Sequence, residues 1–328
     1  MSPETIPLPA LLWNTVLLRP YVFVFLLAFI ASAGRDLGGR RALGFFLWGW
    51  TVAFAAEYAS TRVGIPFGLY HYTGVTAGRE LYLSNVPFFD SISFVFLAYA
   101  SLCLARHALG DRCWANLRRQ VHSALASRRR RSARTATSLA RRQPSTYTHV
   151  RLGRPTSLAP GLARNLPPHR AQINPLAGDR PTAGVVLVSG ILMMLLDVVI
   201  DPLAVRGDRW FLGRIFYYPA GGAYFGVPLS NFAGWALVGW VTVGGYMWAM
   251  ARVGGSTTRQ WGSPRLGVAL YYGVLLFNLA LTLWIREWGL LAAGMLVHAG
   301  GFLLLYGFEA TLPRRRLRSG PVADPRSG

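Results

Sequence analysis

Residues 183–203 read AGVVLVSGILMMLLDVVIDPL, and this stretch decides the fold class. At ~1.5 Å per residue, a helix of that length crosses the ~30 Å hydrocarbon core of a bilayer. Only Asp197 and Asp201 carry charge within it. Working outward, apolar stretches of similar length recur at residues 15–33, 42–60, 86–105, 224–250, 266–285 and 288–308. Hydrophobic residues make up 52% of the chain and charged residues 14%, against roughly 25% charged in soluble domains. A soluble fold is excluded. The expectation is an all-α, polytopic integral membrane bundle of about seven transmembrane helices.

All 34 basic residues are Arg. Residues 106–180 hold 16 of them against two acids, Asp111 and Asp179, so +14 of the formal charge of +21 belongs to one loop. With Trp114 and Tyr147 as its only aromatics, that loop lacks the interleaved aromatics of a nucleic-acid surface. It reads as a disordered segment facing anionic lipid headgroups, with no nucleic acid partner. If the loop is cytoplasmic, so are Arg35, Arg40, Arg41, Arg252, Arg259, Arg265 and the basic tail, in keeping with the positive-inside rule. The N-terminus is then outside and the C-terminus inside, in a bacterial-type inner membrane. The chain divides into transmembrane helices 1–3 (residues 1–105), the basic loop (106–181), helices 4–7 (182–312) and a basic tail (313–328). Cys103 and Cys113 provide neither a disulfide framework nor a thiolate metal site. No basic stretch precedes the first apolar residues, so no cleavable signal peptide is expected.

An internal repeat is visible once the spans are laid out. Val86-Pro87-Phe88-Phe89-Asp90 recurs as Val227-Pro228-Leu229-Ser230-Asn231. Glu57 precedes Asp90 by 33 residues, and Asp197 precedes Asn231 by 34. Ionisable groups inside membrane spans are costly and mark function by default. Glu57, Asp90, Asp197, Asp201 and Asn231 all fall within one or two turns of span ends on the same, outer side. Asp197 and Asp201, one turn apart, share a helix face. In an apolar setting two such carboxyls favour keeping a proton between them, and a protonated acid can protonate an electron-rich carbon. The structural alternatives are interface pairing of Glu57 with Arg62 and of Asp201 with Arg206, and a packing role for His298 and Glu309.

Metal chemistry has no support in the pattern. No two of the six histidines lie three or four residues apart, so a histidine-box site is absent. Asp197-x-x-x-Asp201 is an isolated pair and not an aspartate-rich diphosphate motif, and no phosphate-cradling Gly loop occurs. Aromatics are 13% of residues, many at span ends where an interfacial belt explains them. Phe67, Tyr70, Tyr72, Tyr224, Phe225 and Trp235 instead flank the acids, and aromatic faces stabilise cations.

Three loop segments carry a resemblance. Gly64-Ile65-Pro66-Phe67-Gly68-Leu69-Tyr70-His71-Tyr72-Thr73 follows the second span, and Asp197-Val198-Val199-Ile200-Asp201-Pro202 ends the fourth. Then comes Tyr224-Phe225-Gly226-Val227-Pro228-Leu229-Ser230-Asn231-Phe232-Ala233-Gly234-Trp235. Together these resemble the membrane carotenoid biosynthesis family that includes the CruF-type carotenoid 1′,2′-hydratases and bisanhydrobacterioruberin hydratase. The resemblance implies cofactor-free addition of water to the terminal double bond of a linear carotenoid, with other carotenoid enzymes as partners. On that reading Asp197 or Asp201 donates the proton, Glu57 positions or activates water and Asn231 orients it. Phe67, Tyr70, Tyr72, Asp90, Tyr224, Phe225 and Trp235 line the substrate pocket. A carotenoid cyclase or isomerase using the same acid is the alternative within enzymes. A proton-coupled transporter or a carotenoid- or lipid-binding protein is the alternative outside them.

Overall fold

The computed structural model describes residues 7–109, 183–253 and 261–310. In chain order the helices are α1 (Leu8–Leu18), α2 (Pro20–Asp36), α3 (Gly39–Val63), α4 (Phe88–Ala108), α5 (Ala183–Ala204), α6 (Leu229–Val253), α7 (Arg265–Trp284) and α8 (Trp288–Ala310). Four two-residue strands lie in the connections: β1 (His71–Tyr72), β2 (Tyr82–Leu83), β3 (Val86–Pro87) and β4 (Phe216–Tyr217). The helices on either side of residues 111–180 belong to one compact unit. The basic loop expected at 106–181 is described only as far as residue 109, where α4 runs on to Ala108; its remainder and the 313–328 tail lie outside the described residues.

The apolar stretches all become helices, with one difference. The stretch at 15–33 is not one span but α1 and α2, bent by 94°. Pro20 supplies the reason: it disfavours helical geometry in the residue before it and cannot donate to the preceding turn. Arg19 accordingly leaves the helix, with φ −129° and ψ 48°, and Pro20 opens α2. Among the described residues, α4, α5, α7 and α8 are long and apolar enough to cross a membrane, and the bent pair makes a fifth if its two helices are counted as one broken span. At 25 residues each, α3 and α6 are as long, but their Gly, Trp and charged residues dilute the hydropathy, and they fall outside that count.

Within the bundle α4 is central, with 83% of its most apolar window buried, whereas α8, at 11%, is peripheral. In a bilayer helices gain little from leaving lipid, so close packing and interhelical hydrogen bonds hold them together. The α5–α6 contact is built on glycine: a Cβ on Gly239 would come within 2.8 Å of the Gly190 Cα. A Cβ on Gly190 would run into Trp240 and the Ala236 carbonyl. Tyr271 Oη donates to the Leu192 carbonyl at 3.0 Å, and Trp48 Nε1 to the Thr242 carbonyl at 3.0 Å, tying α7 to α5 and α3 to α6. At one end of the bundle Arg106 pairs with buried Asp36 at 2.5 Å.

The other end carries the connections 64–87 and 205–228. They are joined by β1 and β4, which pair antiparallel with Tyr72 opposite Phe216 and His71 opposite Tyr217. Because strand side chains alternate in direction, Tyr70, Tyr72, Phe216 and Tyr218 share the face turned to the helix ends, and His71 and Tyr217 the opposite face. Arg19 anchors this cover from the helix break. It is 1% exposed, pairs with Glu80 at 3.1 Å and donates to the Leu212 carbonyl at 2.7 Å.

Candidate active site

Five polar side chains from four helices meet beneath the β1–β4 cover. Glu57 arrives near the end of α3 and Asp90 in the first turn of α4. Asp197 and Asp201 come from the last turns of α5, and Asn231 from the start of α6. They form two groups. Tyr72 Oη lies 2.9 Å from Glu57 Oε1 and 2.5 Å from Asp90 Oδ2. Ser91 donates to the other Glu57 oxygen. One phenol proton cannot serve two carboxylate acceptors, so this group closes only if one carboxyl carries a proton.

In the second group Asn231 Nδ2 donates to Asp197 Oδ2 at 2.6 Å and to Asp201 Oδ2 at 2.8 Å. Tyr218 Oη donates to Asp201 Oδ2 at 3.3 Å. The one Asn231 amide nitrogen thus bridges the two Asp carboxyls. The Asp197 Oδ1 atom is buried and has no partner. The interface pairings weighed from the sequence do not form. Arg62 reaches Asn85 and Ser84 and lies 3.4 Å over the Tyr58 ring, while Arg206 pairs with Glu287 at 3.4 Å. Among the described residues the ion pairs are Arg19–Glu80, Arg106–Asp36 and Glu287 with Arg206 and Arg209, so no salt bridge occupies the site acids.

The phenols in the cover remain neutral donors. Burial pushes Tyr72 well above the ordinary phenol range, and the Asp90 and Glu57 carboxyls add to it. Burial acts in the same direction on Tyr218, reinforced by Asp201 and Asp197, and on Tyr70, reinforced by Glu57 and Asp90.

Two adjoining cavities meet at these residues. The smaller, about 310 Å³, is mostly polar and is lined by Glu57, Tyr70, Tyr72, Asp90, Tyr218 and Asn231, together with Asp201 and a set of aromatics. The larger, about 670 Å³, is mostly aromatic and aliphatic and runs between α2, α4, α5 and α7. Asp90, Asp201, Phe216 and Trp235 line both. At this boundary Trp235 stacks on Phe94 at 4.1 Å, with Phe67 tilted against each ring at 6.0 and 5.6 Å. The arrangement can hold a small polar molecule on one side of a carboxyl and an apolar one on the other.

Most residues singled out from the sequence gather here: Glu57, Phe67, Tyr70, Tyr72, Asp90, Asp201, Asn231 and Trp235 line the smaller cavity. Asp197 sits behind it, fully buried, and touches it only through Asn231 and Asp201. Tyr224 and Phe225 line neither cavity. They occupy a tight hairpin turn, with hydrogen bonds in both directions between Tyr224 and Val227 and positive φ at Phe225 (49°) and Gly226 (91°). The Tyr224 ring packs on Phe225 and Phe232. The sequence reading missed Phe94, Phe216 and Tyr218. Phe94 follows Asp90 by one helical turn, as Trp235 follows Asn231, and that spacing was the available signal. His298 is placed beside Tyr271, away from the acids.

Compared with known proteins, the chain matches the carotenoid biosynthesis protein family over residues 15–129 and 162–300, most of its length. No curated protein and no solved structure matches it.

Proposed function

Because the chain belongs to the carotenoid biosynthesis protein family, we propose that it adds water to the terminal double bond of a linear carotenoid by acid catalysis, without a cofactor. The observation that carries this reading is that Asp201 and Asp90 line the polar and the apolar cavity at once. A carboxylic acid at that boundary faces an alkene on one side and water on the other.

Asp201 is the proton donor. Its proton goes to the less substituted alkene carbon, the π pair forms the new C–H bond, and a tertiary cation is left. The faces of Trp235 and Phe94 stabilise that cation. Water in the polar cavity, held by Glu57, Asp90 and Tyr72, donates an oxygen lone pair to form the C–O bond. The surplus proton passes to the Glu57–Asp90 group, which releases it to solvent, and a proton taken up from solvent restores Asp201. The net change is one added water with no oxidation. Asp197 and Asn231 position Asp201 through their hydrogen bonds.

A cyclase would use the same protonation but would need to keep water from the cation. Glu57, Tyr70, Tyr72 and Tyr218 instead offer water several partners beside the boundary, which favours hydration. We read α3 and α6 as completing seven crossings in a bacterial-type inner membrane, with the N-terminus outside. The Arg-rich residues 106–181 would face anionic headgroups.

The test is expression in a bacterium that makes lycopene, with pigments separated by chromatography and weighed by mass spectrometry. A product heavier by one or two waters supports the hydratase. An isomer of unchanged mass favours the cyclase and removes hydration. Unchanged pigment, with the protein present in the membrane, removes both as reactions of lycopene.

A further inference from the structure

The larger cavity defines more than a reacting end group. Three of its polar side chains besides the two acids are turned to the protein's own backbone. Asn278 Nδ2 donates to the Val274 carbonyl, Ser93 Oγ to the Phe89 carbonyl and Trp210 Nε1 to the Leu203 carbonyl. With its many aromatic and aliphatic residues the wall is mostly apolar, and Asp90 and Asp201 carry its carboxyls. On α4 the lining runs from Phe89 to Leu97, a rise of about 12 Å. That is far shorter than a linear carotenoid, whose length is comparable to the ~30 Å core of a bilayer. A ligand of that class has to leave the cavity through one side.

One side fits. Tyr21 and Phe25 of α2 and Phe277 of α7 close the cavity with their rings in contact at 5.3 and 5.6 Å, and all three are only half-buried. Beside them on the same helices Val24, Leu27 and Leu276 are 61%, 65% and 64% exposed, an apolar surface turned outward. These three rings are side chains, and side chains can swing on a fast timescale.

We propose that this cavity seats only the terminal segment of a linear isoprenoid polyene, which enters sideways from the bilayer between α2 and α7, past Tyr21, Phe25 and Phe277. The remainder of the chain stays in lipid. The occupant's identity rests on the carotenoid reading above, but the seat and portal can be tested without turnover. Selection falls on the end group and the few carbons behind it, and the far end of the molecule is not inspected.

The experiment uses the full chain in lipid nanodiscs, with lycopene as the probe and Asp201→Asn as the background that binds without reacting. Retained lycopene is measured by absorbance after washing with lipid vesicles. Ala204→Trp, which fills the cavity one turn beyond Asp201, is expected to lower retention at least tenfold. Phe277→Ala, which opens the portal, is expected to speed release into the vesicles severalfold. Retention by Ala204→Trp equal to the background overturns the seat, as does absence of retained lycopene in the background itself. An unchanged release rate in Phe277→Ala overturns the portal even if Ala204→Trp fails to fold. If retention responds to Ala204→Trp as expected, but the native protein yields no hydrated product, the hydratase reading fails and the seat stands.

Discussion

The Trp235 ring lies face to face on Phe94, 4.1 Å between centroids and 8° between planes. Each ring is one helical turn beyond the polar residue that opens its helix, Asn231 in α6 and Asp90 in α4. The two halves of the chain thus contribute the same polar-then-aromatic step, and the two steps meet at the boundary between the cavities. Replacing Trp235 with Leu keeps the side chain apolar but removes the π face. A cation–π contribution of about 2 kcal/mol in a desolvated site corresponds to a loss of about 30-fold in hydration rate. Trp235→Phe is expected to retain most of the activity. Product per membrane-inserted protein measures both.

The two α5 acids are not equivalent. Asp201 faces both cavities, while Asp197 is sealed behind it. Asp201→Asn should lower turnover by at least ~10³-fold, in the range of losing a general acid. Asp197→Asn should leave measurable activity, lowered about 10- to 100-fold. Equal losses in the two variants would remove the assignment of Asp201 as donor.

Among the described residues, Tyr72 is the only side chain that touches both Glu57 and Asp90 through one oxygen. Tyr72→Phe leaves the ring in place and deletes that contact. The expected result is a drop in stability of about 1–3 kcal/mol, from buried acceptors left unmet, with activity lowered more than the surviving folded fraction explains. Thermal unfolding in detergent and pigment analysis separate the two effects.

Arg19 and Glu80 are a buried pair, 1% and 0% exposed at their side chains. Removing one partner strands the other, at a cost of about 3–5 kcal/mol, whereas removing both can be nearly neutral. Arg19→Met alone should therefore abolish accumulation of folded protein, and Arg19→Met with Glu80→Met should recover much of it. Size-exclusion profiles of the detergent-solubilised variants provide the readout. A double variant no better than the single would show that the Leu212 carbonyl and the Phe89 ring, both touching Arg19, matter more than the ion pair.

Much of this was legible in the sequence for a physical reason. A bilayer imposes a length on every apolar stretch, so helix positions follow from counting, and a charge inside such a stretch stands out. Asp197, Asp201, Glu57 and Asp90 were found on that basis. The break at Arg19-Pro20 was marked by its residues, but its 94° angle depends on Arg19 reaching Leu212 and Glu80, which are distant in the chain. Phe216 and Tyr218 were missed because a two-residue strand has no periodicity of its own; pairing with β1 sets its facing. Tyr224 and Phe225 were misplaced for the complementary reason. They adjoin Asn231 in sequence, but the Tyr224–Val227 turn carries them aside.

The short pairing of β1 with β4 has a genetic consequence. Everything the site draws from α3, α4 and β1 is encoded before residue 110, and everything from α5, β4 and α6 after residue 182. Two polypeptides divided between those points and made in the same cell retain all the groups named above, with Tyr72 opposite Phe216 to register one half on the other. Such a split gene should complement, and either half alone should be colourless in its effect on the pigment.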